Sequence, residues 1–89
     1  LQTDAYEKLS GKIFDVILLN PPQSAGKKVC FHMIEQAQEH LSSQGSLQVV
    51  ARHNKGGEVL SIHMKDLFGN VETLCKKGGY RVYKSVFLL

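Results

Sequence analysis

Asn20 stands directly before Pro21 and Pro22, at the end of the apolar run 13–19 and ahead of Gln23 and a segment with helical spacing. A carboxamide both donates and accepts hydrogen bonds. Each proline fixes φ at about −65°, lacks an N–H and biases the residue before it toward extended backbone. The carbonyls of Asn20 and Pro21 are therefore held in set directions beside the Asn20 side chain. Such an array suits the positioning of a hydrogen-bonding group, which is a major source of rate when that group must react. The same tripeptide also serves simply to end a strand in a turn.

A second set of candidate residues is basic. Lys27 and Lys28 fall at the start of a helical pattern, where the macrodipole disfavours cations by about 0.3–1 kcal/mol. Arg52, His53 and Lys55 follow a second apolar run. In an open α/β sheet both segments emerge at the carboxyl ends of strands, where ligands bind. Gathered beside Asn20, these five side chains would suit a phosphate backbone. Against that stands a scattered solvated surface, since the chain must place 11 Lys and Arg somewhere and its net charge is only +3.

Other chemistries lack their residues. His32, His40 and His63 have no carboxylate or cysteine at ligand spacing, so no metal site is expected. No Ser/His/Asp or Cys/His arrangement points to covalent catalysis. Cys30 and Cys75 are far apart and are expected to be free thiols in a reducing compartment. No apolar run reaches the roughly 18–20 residues of a membrane span. At 89 residues the chain is one domain at most, and 43% hydrophobic with 21% charged residues argues against disorder. A start at Leu1 rather than methionine suggests a piece of something longer.

The elements that must position these residues follow from periodicity. Residues 13–19 leave no polar face, which predicts a central strand of a parallel sheet covered on both sides. Val29, Met33, Ala37 and Leu41, with Ile34 alongside, share one face of a helix over 27–41, and Gly45 supplies its stop. A strand over 47–51, a loop over 52–57 and a helix over 58–68 closed by Gly69 come next. Residues 71–77 and 80–88 read as strands joined by a Gly78-Gly79 hairpin. The order β-α-β-α-β-β predicts parallel strands with crossover helices and an antiparallel last strand. Tyr80, Val82 and Val86 face one way and Tyr83 and Phe87 the other, so that strand is expected to lie inside the sheet.

Taken together, "DVILLNPPQSAGK", "GSLQVVARHNKGG" and "LFGNVETLCKKGGYRVYKS" resemble the C-terminal half of a class I S-adenosylmethionine-dependent methyltransferase. The likeness is to the small-domain group that includes rRNA guanine-N2 methyltransferases. It implies an α/β fold, part of a Rossmann-like sheet whose last strand is antiparallel and inserted. The glycine-rich turn and the ribose-binding acidic residue of such enzymes are not in this chain, so the N-terminal cofactor half would lie outside it. The implied function is methyl transfer from S-adenosylmethionine to an exocyclic amino nitrogen of an RNA base, in rRNA, in the cytoplasm. The alternative is a non-catalytic α/β nucleic-acid-binding module that kept the fold.

The resemblance also implies roles. Asn20 would bind the target amino group next to the cofactor, the Pro21 carbonyl would assist, and Pro22 would shape the wall. Gln23 occupies the place where the family usually carries an aromatic residue stacked on the base, a task that Phe31 or another segment would have to take over. Asp4 would contact the cofactor's adenine. Lys27, Lys28, Arg52, His53 and Lys55 would face RNA. The implied partners are RNA and either the N-terminal half of the same enzyme or a second copy paired through the strand 13–19, with no membrane contact.

Overall fold

Ile17 and Leu19 are fully buried while Val16 and Leu18 between them are 47% and 37% exposed, so alternate residues of this first strand meet different surroundings. Residues 11–89 are described here in a computed structural model. They form β1 (Phe14–Leu19), α1 (Lys27–Glu39), β2 (Leu41–Arg52), α2 (Gly57–Phe68), β3 (Glu72–Lys77) and β4 (Tyr80–Val86), with 3-10 turns at Gln23–Ala25 and His53–Lys55. The sheet order is β1-β2-β4-β3. β1 runs parallel to β2, and β4 is antiparallel to both β2 and β3. The last strand is thus inserted, as its two apolar faces predict.

Both crossovers, β1 to β2 and β2 to β3, step across the sheet in the same direction. Right-handed connections then put both helices on one face. Cys30, Met33, Ile34 and Ala37 of α1 and Leu60, Met64 and Phe68 of α2 meet Ile17, Leu19, Leu47, Val49, Ala51 and Tyr83 in a single core. Each large side chain so buried contributes about 1.5–3 kcal/mol. The helices also touch each other: the Phe31 and His63 rings stack with centroids 4.0 Å apart, and Glu35 Oε2 lies 3.0 Å from His63 Nε2. The Nε2 direction misses hydrogen-bond geometry, so this is an ion contact only when His63 is protonated.

One expectation about the first strand needs correction. Among the described residues β1 stands at one end of the sheet, which agrees with a neighbouring strand supplied from outside them, but both helices pack on the same side, so these residues cover one of its faces and not two. An apolar run shows that a strand can be covered twice; it does not show that the covering lies within the same stretch of chain.

The helix boundary is also corrected. α1 ends at Glu39, and Leu41 opens β2, because Leu41 pairs with Phe14. Gly45 therefore lies inside a strand and stops no helix. Between the pairs Phe14↔Leu41 and Val16↔Ser46 the ladder is bulged, with Gln44 at φ 68°. A Cβ on Gly45 would come within 2.9 Å of the carbonyl oxygens of Asp15 and Ser42, a contact between backbones that only glycine avoids. The Ser42 hydroxyl donates to Asp15 Oδ1 at 2.7 Å and fixes the same bulge.

Asn70 holds β4 in its inserted place. Its carboxamide donates to the Val86 carbonyl and accepts from the Val86 N–H, both at 2.8 Å. The buried Ser85 hydroxyl donates to the Asn70 carbonyl at 2.7 Å. One side chain thus mimics a strand partner for the end of β4 before β3 begins at Glu72.

Candidate functional site

Asn20 follows the last residue of β1 and is exposed. Among the described residues no hydrogen-bond partner engages its carboxamide. Pro21 is buried and Pro22 exposed. The Pro22 carbonyl is already used within the chain: it accepts from the Ala25 N–H at 2.8 Å and from the Cys30 thiol at 3.6 Å. Among the described residues the Asn20 carboxamide and the Pro21 carbonyl are the acceptors at this corner without a partner in the chain.

Gln23 lies across the site instead of facing out of it. Its Oε1 accepts from the Arg52 N–H at 2.8 Å, and its Nε2 donates to the carbonyls of Arg52 at 3.1 Å and Lys55 at 3.3 Å. The loops after β1 and β2 are therefore fastened together by one amide. An aromatic side chain at this position would leave these three backbone groups without those partners.

His53 continues the connection. Its N–H donates to the Gly79 carbonyl at 2.9 Å, and its Nδ1 lies 2.6 Å from the Tyr83 hydroxyl. Its Nε2 is 3.9 Å from Glu58 Oε2. Gly57 makes this packing possible, because a Cβ there would come 2.8 Å from the Arg52 carbonyl oxygen and 3.0 Å from the Tyr83 hydroxyl.

Burial pushes the Tyr83 phenol above its ordinary value; Arg81 opposes the shift and Glu58 adds to it. Burial likewise pushes the Cys30 thiol up, against an opposing backbone hydrogen bond. The folded chain thus keeps both groups protonated at a pH where the unfolded chain ionises them. Their contribution to stability is complete below the ordinary thiol value of 9.0 and is lost as pH rises through the raised values. Denaturant midpoints should accordingly fall as pH rises above 9.0, and Tyr83→Phe with Cys30→Ala should flatten that fall. An equal fall in the double variant would place the alkaline sensitivity elsewhere.

The five basic residues do not form one cluster. Lys27 and Lys55 line a cleft of about 60 Å³ together with Gln23, Gly26, Cys30 and Leu60. Lys28 lines a separate groove with Pro22, Val29 and His32. His53 is tied to Tyr83, and the Arg52 guanidinium lies 5.7 Å from the centroid of the Tyr80 ring. The expectation of a single patch beside Asn20 is corrected because successive helical residues diverge by about 100°. No acidic residue or side-chain cap sits in the first turn of α1 to offset Lys27 and Lys28. Asp4 lies outside the described residues.

Reading by residue type missed the roles of Tyr83 and Cys30. Tyr83 signals itself only by falling on the helix-covered face of β4, where a phenol requires a partner. Cys30 signals itself by its helical spacing to Met33, Ile34 and Ala37.

Residues 1–84 match the family described as Methyltransferase small domain. The chain belongs to the methyltransferase small-domain family. It is 35% identical over 85 residues to the uncharacterized protein YbxB of Bacillus subtilis, covering 94% of this chain and 42% of that protein. It is 36% identical over 75 residues to the Ribosomal RNA small subunit methyltransferase C of Idiomarina loihiensis, covering 79% of this chain and 21% of that one. The Thermus thermophilus 16S rRNA N2 methyltransferase RsmC, solved with AdoMet and guanosine, superposes with a TM-score of 0.81 at 23% identity, over 86% of this chain and 21% of its own. That last likeness is one of fold. The chain spans less than half the length of each of these relatives.

Proposed function

We propose that residues 11–89 form the acceptor side of an S-adenosylmethionine-dependent N-methyltransferase acting on an exocyclic amino nitrogen of an RNA base. The observation that carries this reading is the free, solvent-facing Asn20 carboxamide at the end of β1, in a chain of the small-domain family. RNA as substrate draws support from the relatives named for ribosomal RNA methylation and from the basic loops. Among the described residues no helix is long and apolar enough to cross a membrane.

The chemistry follows from the nucleophile. An exocyclic amino group carries two N–H donors, and its lone pair is delocalised into the ring. Asn20 Oδ1 accepts one N–H and the Pro21 carbonyl the other, which turns the lone pair out of conjugation and holds it toward the methyl donor. The same acceptors would stabilise the positive charge that grows on nitrogen as the nitrogen–methyl bond forms and the methyl–sulfur bond breaks, and the surplus amino proton would then leave to solvent. When bound, the cofactor supplies an electrophilic methyl group on a sulfonium. The residues present fit the acceptor half of such a site. Gly56-Gly57 opens α2 and Gly78-Gly79 turns the β3–β4 hairpin, so the groups that grip the cofactor's methionine and ribose would come from outside 11–89. Gln23 keeps the Asn20 corner in register with the Arg52 loop, a role in positioning.

The test is transfer of labelled methyl from S-adenosylmethionine by the whole natural protein, offered protein-free ribosomal RNA and assembled subunits. Label in RNA is the expected result. Cofactor binding with no label in either RNA would leave the chain a binding module, and label in protein or small molecules would overturn the substrate.

A further inference from the structure

The β3–β4 hairpin reaches the same end of the sheet as Asn20, since Arg52 at the carboxyl end of β2 pairs with Tyr80, and Tyr80 with Lys77. Directly paired residues share a face, so Arg52, Tyr80 and Lys77 form a row across three strands, about 10 Å long. Tyr80 is 50% exposed, with the Arg52 guanidinium near its ring. Lys76 and Lys77 are exposed. Residues 75–81 contain Lys76, Lys77 and Arg81 and no carboxylate; Glu72 sits at the other end of the hairpin, opposite Lys84.

The hairpin is also held rigidly against the site. The His53 N–H donates to the Gly79 carbonyl, and Gln23 grips the backbone on both sides of His53, at Arg52 and Lys55. Arg81 braces the turn itself, its Nη1 donating to the carbonyls of Gly78 at 3.2 Å and Tyr80 at 3.0 Å. A continuous run of contacts therefore connects the Asn20 corner to an exposed aromatic ring with the exposed Lys77 beside it on the same face. An aromatic platform beside lysines is the arrangement that takes single-stranded nucleic acid, the ring stacking a base and the cations meeting phosphates.

We propose that this hairpin is a second RNA contact: Tyr80 stacks an unpaired base that flanks the target nucleotide, and Lys77, in the same row on the same face, holds the adjoining phosphate. The inference rests on the RNA reading given above and deepens it, because it requires the substrate to be single-stranded next to the modified position.

The experiment is binding of the whole natural protein to a fluorescent single-stranded RNA of about a dozen nucleotides, followed by anisotropy across a salt series. Tyr80→Ala should weaken binding by about tenfold to a hundredfold, while Tyr80→Phe, which keeps the ring, should stay within about twofold of wild type. Lys77→Gln should reduce the slope of log affinity against log salt by about 0.7, while Lys76→Gln, on the opposite face, should leave it unchanged. Cofactor affinity should be unchanged in all of them. Wild-type binding by both Tyr80→Ala and Lys77→Gln would overturn the inference alone. Equal weakening by Tyr80→Phe and Tyr80→Ala would overturn the stacking role. A wild-type protein that binds no RNA yet methylates another acceptor would overturn this inference and the proposed substrate together.

Discussion

Asn20→Ala, placed in the whole enzyme, should lower turnover by about a hundredfold or more while cofactor affinity changes by less than about threefold. In the proposed role the variant would remove one acceptor of the reacting amino group, and the fold should be spared, because the carboxamide is exposed and has no partner among the described residues. A loss confined to kcat, with substrate KM little changed, marks an interaction made mainly in the transition state. Asn20→Asp offers the same acceptor geometry with a negative charge and should retain more activity than Asn20→Ala. Steady-state methyl transfer with calorimetric titration of the cofactor measures both. Near-normal turnover in Asn20→Ala would remove the residue from the reaction.

Gly57→Ala should lower the unfolding free energy by about 1–3 kcal/mol, or roughly 5–20 °C in Tm for a domain of this size. Intrinsic helix propensity favours alanine over glycine by about 1 kcal/mol in a helix interior, and at the first residue of α2 this gain is smaller. The opposing term is steric. A methyl at 2.8 Å from the Arg52 carbonyl oxygen and 3.0 Å from the Tyr83 hydroxyl must move backbone on one side and a fully packed ring on the other. Displacing that carbonyl also loosens its bond from Gln23 Nε2, so RNA affinity and transfer rate should fall along with stability. A thermal melt equal to wild type would show that the Arg52 loop has slack and that the Gln23 link does not fix it.

How far the sequence reveals this arrangement depends on the distance over which each signal acts. The inserted β4 is legible because apolar residues occupy both its faces, and Gly78-Gly79 marks its turn within two positions. The two helices are legible from spacings of three and four. The bulge at Gly45 is not, because the reason for that glycine is the Asp15 carbonyl on another strand. Nor is the role of Gln23, whose partners lie 29 and 32 residues away in the chain. A residue type that departs from a familiar motif tells only that something has changed, and here the change is a side-chain amide that bonds the loops together. The single basic patch fails for a similar reason: adjacency in sequence put Lys27 and Lys28 together, while the helix separates them into two grooves.

The central claim is that Asn20 presents an exocyclic amino nitrogen of an RNA base for methylation. Nucleoside analysis by mass spectrometry, after the whole protein has acted on RNA with S-adenosylmethionine carrying a deuterated methyl group, tests it most directly. The account predicts the label on an exocyclic amino nitrogen, in wild type and strongly reduced in Asn20→Ala. Label on a ring carbon, a ribose oxygen or a ring nitrogen without an N–H to donate would contradict it.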